Sequence, residues 1–274
     1  MTAPSTTSLP VPSGPRNPPH STPSAANPTS RFAHPSNWLD RFLVPPQTRQ
    51  LELLDGPLPP RDALLANLRD LALVNRFAGG WAVAAWALER LVGSSSQRSF
   101  RVLDIGTGGA DVPVALSQWA RRRGLALQVD AIDLRHEVVD LARSLAADEP
   151  SVRVLQGDAL DLGALPQRYD FVLSSLALHH FDPPDAVRFL QAAHARASIA
   201  LVVNDLRRSR VAWYATRLVS RIFFESFEAK HDGPLSVLRA YTPREVAELA
   251  RMAGLPGAEV HTRPPFRMCL IARA

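Results

Sequence analysis

Hydrophobic positions change period several times along this 274-residue chain, and each change marks a different kind of element. Leu64, Leu65, Leu68, Leu71, Ala72, Ala78, Ala82 and Ala85 recur at helical spacing. Gly79 and Gly80 interrupt that run and predict a break or kink. Upstream, Trp38, Leu39, Phe42 and Leu43 form a short amphipathic piece that Pro45 and Pro46 stop. Asn75 falls on the apolar stripe and needs a partner there: it caps the second helix or faces a ligand. From Arg101 onward, short apolar runs alternate with amphipathic stretches. Strands are expected at 101–105, 127–132, 152–156, 171–177, 199–203, 258–261 and 267–272. Helices are expected at 112–123, 137–147, 184–195 and 243–253, with 206–240 irregular or helical. Asp182 before Pro183, and Thr242-Pro243 with Glu245, read as helix starts. The alternation predicts an α/β fold with a mainly parallel seven-stranded sheet, helices on both faces and a helical N-terminal extension.

Composition divides the chain further. Residues 1–36 are rich in Pro, Ser, Thr and Ala with no acidic residue, and are expected to be a disordered tail. Residues 37–95 are the helical extension, expected to cap a substrate, and 96–274 the main domain with an insert at 206–240. At 46% hydrophobic and 21% charged, the chain can bury a substantial core. The formal net charge is +5, and Lys230 is the only lysine among 31 basic residues. That preference for arginine reads as the codon bias of a GC-rich genome ahead of a phosphate-binding surface. The arginines are scattered, and Arg121-Arg122-Arg123, their one triplet, ends a predicted helix. Cys269 is alone in an apolar run, so no internal disulfide forms, and a buried position in a cytoplasmic protein is expected. No apolar run reaches the roughly 18 residues of a membrane span, and no signal-peptide core is present.

The densest chemistry lies in Val102-Leu103-Asp104-Ile105-Gly106-Thr107-Gly108-Gly109-Ala110-Asp111, a strand, a glycine-rich turn and a helix start. Glycines there let a ligand approach the backbone, and free N–H groups at the helix start favour ligand oxygens. The dinucleotide fingerprint would need a glycine at position 111. Asp111 instead repels a pyrophosphate, which disfavours a nicotinamide enzyme, but it does not repel a cationic ligand.

Here the sequence resembles the class I S-adenosylmethionine-dependent methyltransferases, best across about residues 100–205. Their motif, acidic-x-G-x-G-x-G after the first strand, is matched by Asp104, Gly106 and Gly108, with Ala110 in place of the third glycine. Asp133, at the end of the second strand, could cap the following helix. The resemblance instead implies that it accepts both ribose hydroxyls and that Leu134 lies against adenine. Gln156-Gly157-Asp158-Ala159 follows the third strand. A simple turn is one reading, and the resemblance implies adenine recognition by Asp158 beside Ala159. The fourth strand ends in Leu178-His179-His180, where either histidine could serve as a base or simply hold neighbouring loops.

The resemblance implies a Rossmann-like fold, S-adenosylmethionine as cofactor, direct in-line transfer and no metal. The 206–240 insert carries Trp213, Tyr214, Phe223, Phe224, Phe227 and Arg239, a composition suited to a small, flat organic acceptor. His231-Asp232 in it is a further acid–base candidate or a polar turn. The strand end Ser174 to Ala177 lacks the Asp/Asn-Pro-Pro-aromatic motif of base-amine methylation. The expected activity is O-methylation of a phenolic, quinone or polyketide metabolite. An RNA methyltransferase and a non-catalytic cofactor-binding partner protein are the rivals, with nucleic acid the less favoured partner. Acceptor identity and oligomeric state stay open.

Overall fold

A computed structural model describes residues 42–93, 96–165 and 168–274. The expected tail at 1–36, and Trp38 and Leu39, lie outside the described residues. Two helices open the described chain, α1 (Arg61–Phe77) and α2 (Gly80–Val92). Gly79 separates them in the left-handed region at φ +83°, where a Cβ would also sit 3.2 Å from the Pro264 carbonyl oxygen.

Strands and helices then alternate: β1 (Ser99–Ile105), α3 (Asp111–Arg121), β2 (Ala126–Asp133), α4 (His136–Leu145) and β3 (Val152–Gln156). They continue with β4 (Tyr169–Ser175), α5 (Pro183–Arg196), β5 (Ala197–Leu206), α6 (Arg210–Phe223), α7 (Phe227–Arg239), α8 (Pro243–Met252), β6 (Glu259–Arg263) and β7 (Arg267–Arg273). The strands and helices expected from 101 onward are all present, with ends moved by a few residues, and the 206–240 segment resolves into the α6–α7 pair. Thr242 and Glu245 form the expected capping box. Asp182 stands at the start of α5 but makes no capping bond; its carboxylate pairs with Arg49 at 3.2 Å.

The sheet order is β3-β2-β1-β4-β5-β7-β6, parallel except for β7, which runs antiparallel to both neighbours. Alternate residues of each central strand feed two cores, as the period of two requires. Leu103, Val172, Leu201 and Leu270 pack under α5 and α8. Val102, Phe171, Val202 and Ile271 pack under α2 and α3. Cys269 is buried in the second core as expected, and burial pushes its thiol up to about 12. Asp130, three residues before the end of β2, is consumed structurally: it accepts from Arg153 at 2.8 Å and from the Tyr169 hydroxyl at 2.8 Å.

β1 lies between β2 and β4, where the strand order reverses. That reversal opens a crevice at the carboxyl ends of the strands, the usual ligand position in open α/β sheets.

Candidate active site

The β1–β2 register pairs Ile105 with Ile132, so the turns after both strands meet at one sheet edge. Gly106 and Thr107 donate to the Ile132 carbonyl at 2.9 Å each. Gly106 (φ +72°) and Gly108 (φ +53°) are left-handed. A Cβ on Gly106 would come within 3.0 Å of the Ala177 Cβ. Ala110, in place of the third glycine, adopts the same conformation at φ +60°. The loop therefore keeps its path at a strain of roughly 1–2 kcal/mol.

Asp133 closes this loop from below. One oxygen accepts from Gly108 N at 3.0 Å and the other from Arg135 N at 3.2 Å. A carboxylate offers about four lone-pair sites, so acceptor capacity remains. Burial raises its pKa against those backbone bonds, and burial likewise raises Asp111. Asp104 lies beneath the loop, buried with one oxygen unpartnered. Burial, reinforced by Asp111 and Asp133, pushes it up to about 7. All three carboxyl groups around this loop have raised pKa values, and a cationic ligand beside them would favour their ionised forms.

Gly106, Gly108 and Asp133 line a cavity of about 730 Å³. This lies in the upper part of the roughly 300–1,000 Å³ range of small-molecule sites. Its other walls come from α1, α6 and α7, including Leu71, Val74, Val219, Phe224 and Val237. Leu134, Asp158 and Ala159 are not in that wall. They sit beside it, since Gly157 N donates to the Asp133 carbonyl at 2.9 Å. Leu134 is exposed, Asp158 forms a turn by accepting from Leu160 N at 2.8 Å, and Ala159 packs against the core.

His179 and His180 both reach the cavity, with their rings 4.3 Å apart. His179 is buried. Its Nδ1 lies 2.7 Å from Asp205 Oδ1, and its backbone N donates to Asp205 Oδ2 at 3.0 Å. Burial raises the Asp205 pKa, but the charge and hydrogen bond of His179 outweigh it and hold the carboxyl low. His180 Nδ1 lies 2.9 Å from Asp55 Oδ1. Burial lowers the His180 pKa, and Asp55 with Glu52 outweighs that and raises it. His231 stands elsewhere. It stacks on Phe227 and pairs with Asp232 at 2.8 Å, outside the cavity wall.

Sequence reading missed the groups that surround the histidines. Glu52 Oε1 is 3.7 Å from His179 Nε2, and Arg239 reaches Asp55 at 2.6 Å and Glu52 at 3.8 Å. Glu52, His179 and His180 hold ligand atoms within 4.8 Å of one another, a spacing a metal could use. Arg239 already brings a cation to that cluster, so an ion-pair network accounts for it. Asn67, buried on α1 with its carbonyl oxygen unpartnered, also lines the cavity. Asn75 neither caps nor stands free: it donates to Asp111 at 3.4 Å and accepts from Arg267 at 3.3 Å, still on the cavity wall. Of the insert aromatics, Phe223 and Phe224 line the cavity, while Tyr214 and Phe227 are outward and exposed.

The family model described as "Methyltransferase domain" matches residues 102–197. A search of curated proteins finds no match. Among solved structures, an O-methyltransferase family 2 protein from Planctomyces limnophilus in complex with apigenin aligns at TM-score 0.54 and 17% identity, covering 79% of this chain and 62% of that one. The CMeT domain of the citrinin polyketide synthase aligns at 0.53 and 15% identity, covering 70% and 51%. PigF with SAH aligns at 0.50 and 18% identity, covering 81% and 63%. The chain thus spans less than two thirds of the length of these neighbours. Residues 102–197 thus match a methyltransferase domain, and within it the glycine loop, Asp133 and Gly157-Asp158 follow one another along the edge of the sheet.

Proposed function

We propose that this protein methylates an oxygen of a small, flat, largely apolar acceptor, with S-adenosylmethionine as the donor. The observation that carries this reading is one cavity, apolar over most of its wall, that contains both the glycine loop and a histidine fixed by a carboxylate. When bound, S-adenosylmethionine supplies a methyl group made electrophilic by its sulfonium. The residues fit such a ligand. The Gly106–Gly108 turn leaves room where a Cβ would collide, and the acidic cluster matches two positive charges. Asp133 would take the ribose hydroxyls, with Leu134, Asp158 and Ala159 forming the adenine side.

The chain's own part in the reaction is positioning and proton transfer. Asp205 engages Nδ1 of His179, which leaves Nε2 as the proton acceptor. A phenol with a pKa of about 10 needs such a group near neutral pH. His180, held toward its charged form by Asp55, is less available to accept a proton and serves to anchor the Glu52–Asp55 turn. His231 has no role here. The apolar walls would exclude water from the transfer. Nucleic acid is disfavoured as acceptor, because the cavity that would receive the methylated group is apolar over most of its wall.

The test is binding followed by turnover. Saturating adenosylhomocysteine, at about 100 times its Kd, should stabilise by roughly 2.7 kcal/mol, a melting shift of about 5–10 °C, while NADH gives none. A panel of phenols and hydroxyquinones, apigenin among them, should then yield a product heavier by one CH₂. The His179→Asn variant should keep the adenosylhomocysteine shift and lose turnover. Turnover only on amines or carbon acids would overturn the oxygen assignment.

A further inference from the structure

α6 is built inside out. Its small residues, Ala212 and Ser220, are buried, while Tyr214, Leu218 and Ile222 are each 62% exposed. With Val211 they recur at spacings of three, four and four, so they form one stripe along the outer face. Arg210, Arg217 and Arg221, spaced by seven and four, line one flank of that stripe and are exposed. None of the three has a carboxylate partner among the described residues, and Arg217 lies only over the Trp213 ring, 5.4 Å from its centroid. The helix contains no acidic residue.

The same face meets the mouth of the cavity. Phe77 at the end of α1 is 75% exposed, and Phe223 at the end of α6 is 65% exposed. Both also line the cavity wall, as do the half-exposed Leu73 and Val219. The opening is therefore rimmed with large apolar side chains and continues into the stripe on α6.

We propose that this face seats on an anionic lipid bilayer, with α6 lying in the interface and the cavity mouth turned to the acyl region. An amphipathic helix with an apolar face and a basic flank binds in this way, and anionic head groups complement the three unpaired arginines. A second copy of the chain fits less well. A two-fold contact sets the same patch against itself, which would bring two unpaired arginine rows together. Among the described residues no single helix is long and apolar enough to cross a membrane, so the contact is peripheral. The lipid contact stands on the surface alone. That it delivers a membrane-dissolved acceptor, an apolar phenol or quinone, rests on the function proposed above.

Co-sedimentation of the full chain with vesicles tests it. Binding is expected to vesicles of mixed phosphatidylcholine and phosphatidylglycerol, weak binding to phosphatidylcholine alone, and a decline with added salt. Leu218→Asp with Ile222→Asp should weaken vesicle binding at least about tenfold, and Arg217→Gln about fivefold. Both variants should keep the parent's circular dichroism and its adenosylhomocysteine melting shift. That shift reads the methyltransferase assignment independently of lipid. Vesicle binding that is absent, or unchanged in the double variant, overturns the proposal. So does a stable dimer in solution that Ile222→Asp converts to monomer, which would assign the face to a second copy.

Discussion

Asp104 offers a direct reading of what the glycine loop is built to hold. Its carboxyl is buried, one oxygen has no hydrogen-bond partner, and its pKa is pushed up to about 7 from 3.8 by burial and by Asp111 and Asp133. A pKa raised in the folded state gives a contribution that is complete below the unfolded value and is lost as pH rises through the folded one. The shift is about 3 units, and at 1.36 kcal/mol per unit the full loss is about 4 kcal/mol. In Asp104→Asn the side chain stays neutral at every pH. The variant should therefore exceed its parent by about 2 kcal/mol near pH 5 and by about 4 kcal/mol near pH 8, before any constant offset from the amide. Urea unfolding of both proteins at the two pH values measures this. The difference of differences, about 2–3 kcal/mol, is free of that offset. Saturating S-adenosylmethionine should shrink the gap near pH 8, and adenosylhomocysteine, which lacks the sulfonium charge, should shrink it less. A variant-to-parent difference that does not change with pH would refute the argument that a buried acid waits there for a cation.

Two further substitutions follow. Asp133→Ala should leave the circular dichroism unchanged and weaken adenosylhomocysteine binding at least about tenfold by calorimetry, since two ribose bonds are lost; unaltered affinity would remove the ribose role. Arg239→Met removes the buried guanidinium from Glu52 and Asp55 and leaves them Ser236 and His180 as side-chain partners. Breaking a buried pair in this way destabilises by about 3–5 kcal/mol, expected as a lower melting point and faster proteolysis at the Glu52–Asp55 turn, and wild-type resistance would show that the network is decorative.

The sheet was legible because its central strands are covered on both faces. Such strands read as continuous apolar runs, as Val102–Ile105 and Phe171–Leu173 do, and the register that joins Gly106 to Asp133 then follows from parallel pairing. The turns that carry the local motifs were legible for the same reason: each follows directly from a strand end. The acceptor half could not be read this way. Glu52 and Asp55 lie in an unremarkable segment, and Asp55 meets His180 125 residues later and Arg239 184 residues later. No spacing rule connects them. The insert misled in a different sense. Its apolar periodicity resembles a core stripe, and nothing local distinguishes Tyr214 and Phe227, which face out, from Phe224, which is buried.

What the network adds is a reason to treat the extension and the insert as one unit. Asp70 on α1 accepts from Ser226 N at 2.8 Å, from the Ser226 hydroxyl at 2.8 Å and from Glu225 N at 3.1 Å, so it fixes the start of α7. Asp232 on α7 accepts from Leu53 N at 3.0 Å and Leu54 N at 3.3 Å, which fixes the turn carrying Glu52 and Asp55. Arg239 at the end of α7 then joins that turn to the carbonyls of His179 and His180. Charge-assisted bonds of this kind, largely out of solvent, are individually strong and mutually dependent. Neither segment can shift without leaving carboxylates unpaired in the other. On the function proposed above, acceptor choice would be set by α1, α6 and α7 together, and the strand ends would hold the cofactor. Grafting the insert alone onto another methyltransferase of this fold should fail to transfer specificity, because half of the ion pairs that shape the cavity would be left behind.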